Sequence, residues 1–216
     1  MQGTLDREIT TLVYDSRKVE KDSAFVCISG AVCDGHDFAQ EVAKKGAAVL
    51  FIEKDVEVPE EVTVIRVQNT RLALAQTSAA YFRHPAKELI TIGITGTKGK
   101  TTATYMVRSI LEASGFKTGL IGTIETIIGE EKIPSANTTP ESYVVQESFR
   151  KMADAGCKCV VMEVSSQGLM LHRVGGFIFD YGIFTNIEPD HIGPNEHKDF
   201  DDYLRCKSML LKQCKH

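Results

Sequence analysis

The sequence predicts an α/β protein in two parts: a small N-terminal α/β domain over residues 1–86 and a parallel-sheet domain of the phosphate-loop type over residues 87–216. Three observations predict it. Short β-branched runs alternate with stretches of helical spacing, the pattern of parallel strands joined by right-handed crossovers. Arg83-His84-Pro85-Ala86 interrupts the alternation, because proline disfavours helix at the residue before it. The stretch Thr91 to Thr102, TIGITGTKGKTT, runs from an apolar strand through a glycine-rich turn into Lys-Thr-Thr and a helical pattern.

In the first part, Ile9 to Tyr14 and Ala24 to Ile28 read as strands separated by the polar cluster Asp15-Ser16-Arg17-Lys18. Asp34-Gly35 marks a turn. Asp37 can cap a helix carrying Phe38, Val42 and Ala43, which Gly46 ends. Ala48 to Ile52 and Val62 to Val67 are strands. Asn69 or Thr70 can cap a helix through Leu74 to Tyr81. Asp15-Ser16-Arg17 reads first as a solvated turn, although a serine and an arginine together can also hold a phosphate oxygen.

In the second part, the helix after the glycine turn carries Ala103, Met106, Val107, Ile110 and Leu111 at helical spacing and stops at Gly115. Lys117 to Gly122 is a strand, and Thr123 to Lys132 is a hairpin turning at Gly129. The polar loop Asn137-Thr138-Thr139-Pro140 precedes a helix from Glu141 to Ala155. Cys159 to Val164 is apolar except for Glu163, as expected of a central parallel strand. Tyr181 to Phe184 reads as another buried strand. Phe200, Tyr203, Leu204, Leu210 and Leu211 form the apolar stripe of a last helix, with Lys207 inside it.

With 216 residues and a formal net charge of −4, the chain has room for a sizeable core and shows no bulk basic surface for nucleic acid. It has no apolar run long enough to span a bilayer, and its first residues lack the basic and apolar regions of a signal peptide. Cys27, Cys33, Cys157, Cys159, Cys206 and Cys214 have no Cys-x-x-Cys spacing and read as reduced thiols. The expected setting is cytoplasmic.

The chemistry concentrates at Gly96-Thr97-Lys98-Gly99-Lys100-Thr101-Thr102. Glycines let backbone N–H groups crowd around an anion, Lys100 can reach the β- and γ-phosphates, and the Thr101 hydroxyl can ligate Mg²⁺. Ile94 stands where the usual loop has its first glycine. Glu163, at the carboxyl end of its strand, reads either as a partner for that Mg²⁺ or as a solvated strand-end carboxylate. Asp190-His191 falls at the same sheet edge. Lys207 is either buried, which is costly for an unpaired ammonium, or snorkelling to water.

The glycine loop, Asn137-Thr138-Thr139-Pro140, Glu163-Val164-Ser165-Ser166, Asp190-His191 and Tyr203-x-x-x-Lys207 occur in an order that resembles the Mur ligase family. With Asp15-Ser16-Arg17 and Asp34-Gly35, the chain looks like the branch that adds the third peptide residue. The resemblance covers nearly the whole chain. It implies an N-terminal domain that holds a UDP-sugar and a central ATPase domain. It also implies a third domain for the incoming amino acid, of which the sequence shows nothing. The implied reaction, in peptidoglycan precursor synthesis, uses ATP and Mg²⁺ to join an amino acid to UDP-N-acetylmuramoyl-L-alanyl-D-glutamate through an acyl phosphate. Diaminopimelate and lysine are the family's main choices. The implied partners are these substrates alone, for a monomer.

By position, the resemblance gives Gly96 to Thr102 to ATP and Lys100, Glu163, His191 and Lys207 to catalysis. It makes Thr101, Glu163, His191 and a carbamylated Lys207 the metal ligands. Asn137, Thr138, Thr139, Ser165 and Arg173 fall to the muramoyl-peptide. Tyr14, Ser16, Ala31, Val32 and Cys33 fall to the nucleotide-sugar. Three departures stand out: Lys98 where many members have Asn, Leu171 where some have Gln, and Ile-Gly-Pro-Asn-Glu-His after His191, which leaves His197 unassigned. The expectation is a ligase fragment, its central domain incomplete and ligation not completed by this chain alone. The alternatives are a folylpolyglutamate-synthetase-like ligase and a non-catalytic nucleotide-binding remnant.

Overall fold

The computed structural model describes residues 2–4, 6–30, 33–194 and 196–216, which form two compact units, residues 1–77 and 78–216. In the first, four parallel strands lie in sequence order: β1 (Thr11–Val13), β2 (Ser23–Val26), β3 (Ala47–Ile52) and β4 (Thr63–Arg66). A short helix, α1 (Ala39–Lys44), crosses from β2 to β3. It is entered through a 3-10 turn at Gly35–Phe38, and the cap is Asp34 rather than Asp37: the Asp34 carboxylate accepts the His36 N–H at 3.1 Å. The earlier residue wins because the helix is preceded by that extra turn. Phe25, Val42 and Leu50 form the core of this unit. The helix α2 (Thr70–Tyr81) begins here, with the Asn69 side chain accepting the Leu72 N–H at 2.8 Å.

The second unit is built on a six-stranded sheet, in which β5 (Ile90–Thr95), β6 (Thr118–Ile121), β9 (Cys159–Glu163) and β10 (Tyr181–Phe184) are parallel. An antiparallel hairpin, β7 (Glu125–Ile128) and β8 (Glu131–Pro134), turns at Gly129, whose φ is +60°, and extends the sheet beyond β6. The order β10-β5-β9-β6-β7-β8 puts the glycine-loop strand and the Glu163 strand side by side. One face is covered by α3 (Lys100–Ala113), through Ala103, Val107 and Leu111 on Ile92, Ile94 and Val161. A larger cluster gathers Val145, Phe149 and Met152 of α4 (Ser142–Asp154) and Leu210 of α6 (Phe200–Lys212) with Val160 and Met162 of β9. A short helix, α5 (Ser166–Met170), follows β9 directly.

Three expectations are corrected. The strand Tyr181 to Phe184 is not buried: β10 is an edge strand with Tyr181 and Ile183 exposed, and a short apolar run looks the same in either setting. Met106 and Ile110 face away from the sheet, 61% and 63% exposed, because α3 seats on it with a narrower stripe. Leu204 and Leu211 are likewise on the exposed side of α6.

Phe149 is fully buried and stacks edge-on against Phe177 at 5.1 Å. Phe149→Ala is expected to lower unfolding free energy by about 3–5 kcal/mol, whereas the exposed Met106→Ala should stay within about 0.5 kcal/mol. Urea unfolding of both variants checks this.

Candidate nucleotide and substrate cleft

The glycine loop is fixed from below by the strand that neighbours it. Gly96 has φ +149°, and a Cβ there would stand 2.0 Å from Thr185 Oγ1, so only glycine fits. Thr185, just past β10, donates its hydroxyl to the Thr95 and Lys98 carbonyls at 3.2 and 3.1 Å. Asn186 exchanges two hydrogen bonds with Lys98, accepting its N–H and donating to its carbonyl, both at 3.0 Å. Gly99, at φ +80°, precedes α3 and carries no side chain to block its N-terminus. The Lys98 ammonium is taken by Glu188 at 2.6 Å, so this departure from the family pattern does not add a free cation to the loop.

Two lysines converge on one carbonyl. Lys100 Nζ donates to Gly96 O at 2.9 Å and to Thr97 O at 3.1 Å, and Lys207 Nζ donates to Gly96 O at 2.8 Å. Lys207 is 1% exposed, which decides between burial and snorkelling. Burial first, and the nearby Lys100 charge second, pull its pKa down to about 8; burial also lowers that of Lys100. Tyr203 supports both elements: its hydroxyl bonds Thr97 Oγ1 at 3.1 Å, and its ring lies 4.7 Å beneath the Lys207 ammonium.

Glu163 is 1% exposed and not a solvated strand end. Its carboxylate accepts the Thr101 hydroxyl at 2.9 Å, the Thr123 N–H at 2.9 Å and the Thr123 hydroxyl at 3.0 Å. Gly122 leaves room for it, since a Cβ there would stand 2.6 Å from Glu163 Oε1. The Glu163 main chain is tied to the threonine loop, with the Thr139 hydroxyl donating to its carbonyl at 3.0 Å and accepting the Ser165 N–H at 2.9 Å. Arg173 holds Glu141 at 3.0 Å and the Thr139 carbonyl at 3.1 Å. This oxygen-only set of a buried carboxylate against the Thr101 hydroxyl suits a hard divalent cation such as Mg²⁺.

A cleft of about 200 Å³ is lined by Lys100, Asn137, Thr138, Thr139, Ser165, Arg173, His191 and Lys207, joined by Ser166, Gln167 and Glu196. His191 sits at φ +55°, its ring bonded to Glu196 at 2.9 Å. Of the residues assigned to the nucleotide-sugar, Ala31 and Val32 lie outside the described residues. In the first unit, Ser16 opens a 3-10 turn whose Asp15 cap pairs with Arg17 at 2.7 Å, and Cys33 is exposed. The Arg17 guanidinium holds the Asp15 carboxyl down to about 2. Sequence reasoning missed Thr123, Thr185, Asn186 and the Tyr203 hydroxyl. Polar residues directly after β6 and β10 were the available signal for the first three, whereas Tyr203 read as core.

Fold and cleft together define an α/β protein of the phosphate-loop type with a second polar loop cluster at the glycine-loop end of its sheet. The Mur ligase middle domain matches residues 94–216, and the catalytic-domain description of the Mur ligase family matches residues 8–82. The chain belongs to the Mur ligase family. It is 47% identical over 216 residues to the UDP-N-acetylmuramoyl-L-alanyl-D-glutamate–2,6-diaminopimelate ligase of Clostridium perfringens, a match that covers 100% of this chain and 44% of that one. It is also 47% identical over 208 residues to the ligase of the same name from Bacillus velezensis, covering 96% and 42%. The chain thus spans less than half the length of these relatives. A solved diaminopimelate ligase of that name shares the fold with a TM-score of 0.82 at 22% identity, over 97% of this chain and 43% of that one. A MurF ligase from Thermotoga maritima, solved with ADP, aligns with a TM-score of 0.59 at 19% identity, over 95% and 43%.

Lys207 supplies a pH test. A lysine whose folded pKa is depressed binds fewer protons folded than unfolded between about 8 and 10.5, so stability rises with pH through that window. Lys207→Met should remove its share of that slope and raise stability below pH 8, as read by urea titrations at several pH values.

Proposed function

We propose that the chain carries the UDP-sugar-binding and ATP-binding parts of a cytoplasmic ligase. That ligase adds diaminopimelate to UDP-N-acetylmuramoyl-L-alanyl-D-glutamate, forming an amide bond through an acyl phosphate. The observation that carries the reading is the convergence of Lys100 and Lys207 on the Gly96 carbonyl at the rim of the cleft lined by Thr138, Ser165 and Arg173. A buried and a half-buried ammonium group on one carbonyl oxygen make a place for anions. The relatives' printed names support diaminopimelate and the dipeptide carboxylate as the groups joined.

In this reading residues 1–86 hold the sugar nucleotide, through Tyr14, Ser16, Cys33 and the neighbouring Ala31 and Val32, and residues 87–216 hold ATP. Gly96 to Thr102 wrap the phosphates, with the backbone N–H groups at the N-terminus of α3 facing them, while those of Thr97 and Lys98 stay on Asn186 and hold the loop in shape. Lys100 leaves the Gly96 carbonyl for the β- and γ-oxygens, where its charge offsets the charge that develops on transfer. Asn137, Thr138, Thr139, Ser165 and Arg173 orient the acceptor carboxylate. Thr101, Glu163, His191 and Lys207 would hold Mg²⁺. The bound metal supplies charge neutralisation between two anions that otherwise repel.

Lys207 serves that role as a carbamate, formed when its neutral amine attacks carbon dioxide and loses one proton. The modification turns a cation facing another cation into an anion facing Lys100 and the metal. Its depressed pKa makes the neutral amine, still the minor form at physiological pH, far more abundant than for an ordinary lysine.

Calorimetric titration of Mg²⁺–ATP tests the nucleotide site. Lys100→Ala should weaken binding at least tenfold, about 1.4 kcal/mol, and Gly96→Ala should abolish it. Equal affinity in Lys100→Ala and the native chain overturns the reading. Carbon-13 NMR under labelled carbon dioxide should show one carbamate resonance that grows with pH through about 8 and is absent in Lys207→Ala.

A further inference from the structure

Beside the cleft, a second group of side chains has no part in the chemistry above. His197 is fully buried between α5 and α6, with Nε2 at 2.8 Å from Ser166 Oγ and Nδ1 at 3.2 Å from Asp202 Oδ2. Cys206 is fully buried one turn along α6 from Asp202, its sulfur 4.0 Å from Asp202 Oδ1. One ligand atom from each of His197, Asp202 and Cys206 lies within 4.8 Å of the other two. Asp202 and Cys206 are four residues apart, so the helix points both toward the same imidazole.

We propose that His197, Asp202 and Cys206 form a binding site for a borderline-soft divalent cation of the zinc type, distinct from the oxygen-lined Mg²⁺ position at Thr101 and Glu163. The donor set is nitrogen, oxygen and sulfur, which selects zinc over magnesium. Tetrahedral ligands about 2.0–2.3 Å from a metal stand roughly 3.3–3.8 Å apart, so a small rotation of the Cys206 side chain closes the triad. The outer partners are already in place. Ser166 Oγ can accept the Nε2 proton, which leaves Nδ1 to face the metal, and this fixes the tautomer as metal-bound histidines require. Asp202 is held by Arg205 at 2.6 Å, and its N–H is capped by Asp199 at 2.7 Å. The Arg205 side chain, 66% exposed, also lies 3.7 Å from the Cys206 sulfur and is free to withdraw toward water. Binding deprotonates the thiol and releases one proton to solvent. The fourth position is left for water.

The site would tie His197, which pairs through the Ile192–His197 bridge with the stretch after His191, to α6, which carries Lys207. Its occupancy therefore sets how firmly His191 and Lys207 are positioned at the cleft.

Cobalt(II) is the probe, because its thiolate complexes absorb in the near ultraviolet and its tetrahedral complexes in the visible. Titrated into the reduced full chain, it should give one equivalent of a sulfur-to-cobalt charge-transfer band. Zinc should bleach that band, and excess Mg²⁺ should not. Cys206→Ser should abolish the band while Cys159→Ser keeps it. Asp202→Asn should weaken cobalt affinity at least tenfold and Ser166→Ala by about 10–100-fold. Circular dichroism establishes that each variant is folded. If Cys206→Ser unfolds, Asp202→Asn carries the test. The proposal is overturned by no charge-transfer band at saturating cobalt, by a band that survives in folded Cys206→Ser, or by native affinity in folded Asp202→Asn.

Discussion

The carbonyl oxygen of Gly96 is where the second unit's parts meet. It accepts from Lys100 at the start of α3 and from Lys207 in the middle of α6, lysines 107 positions apart in the sequence. The contact exists only because Gly96 takes a backbone conformation that brings it against Thr185, and Thr185 is held in turn by the strand pairing of β10 with β5. Sheet order therefore decides loop shape, and loop shape decides where two positive charges come to rest. Among the described residues, neither lysine forms an ion pair with a carboxylate there. Each is stabilised by neutral carbonyls that only partly offset its desolvation, which leaves the position suited to an incoming anion.

Glu163 is the negative counterpart and is built by the opposite logic. Its carboxylate is fully satisfied by Thr101 and Thr123, so it is anchored where a flexible glutamate at a strand end would not be. Because Thr101 is also the first-turn hydroxyl of α3, one hydrogen bond registers the helix N-terminus against β9. The threonine loop around Thr139 is pinned to the main chain of the same residue, so the glycine-loop side and the threonine-loop side of the cleft share a single post. That arrangement fits phosphoryl transfer between two anions, in which positioning and charge carry most of the catalysis.

How far the sequence could be read depended on the kind of signal. The strand-turn-helix around residues 91 to 102, the hairpin at Gly129 and the central position of the Glu163 strand follow from local preferences that tertiary contacts did not override. The burial of Tyr181 to Phe184, the full width of the α3 stripe and the cap at Asp37 did not hold. Each depends on which neighbour an element meets. Periodicity records that a residue is apolar and not whether a partner strand lies beyond it. The Tyr203–Thr97 and Ser166–His197 contacts were invisible for the same reason, since the partners lie 106 and 31 residues apart.

By itself, the sequence determined the repertoire: a glycine turn able to wrap an anion, a lysine and threonine after it, and a carboxylate ending an apolar strand. These are local properties, set by backbone freedom and side-chain chemistry. Only the tertiary structure decided that Lys207 is buried against Gly96 and that Glu163 is caged by two threonines. Those outcomes depend on the order in which strands pair, because a sheet places side chains together that no spacing along the chain connects.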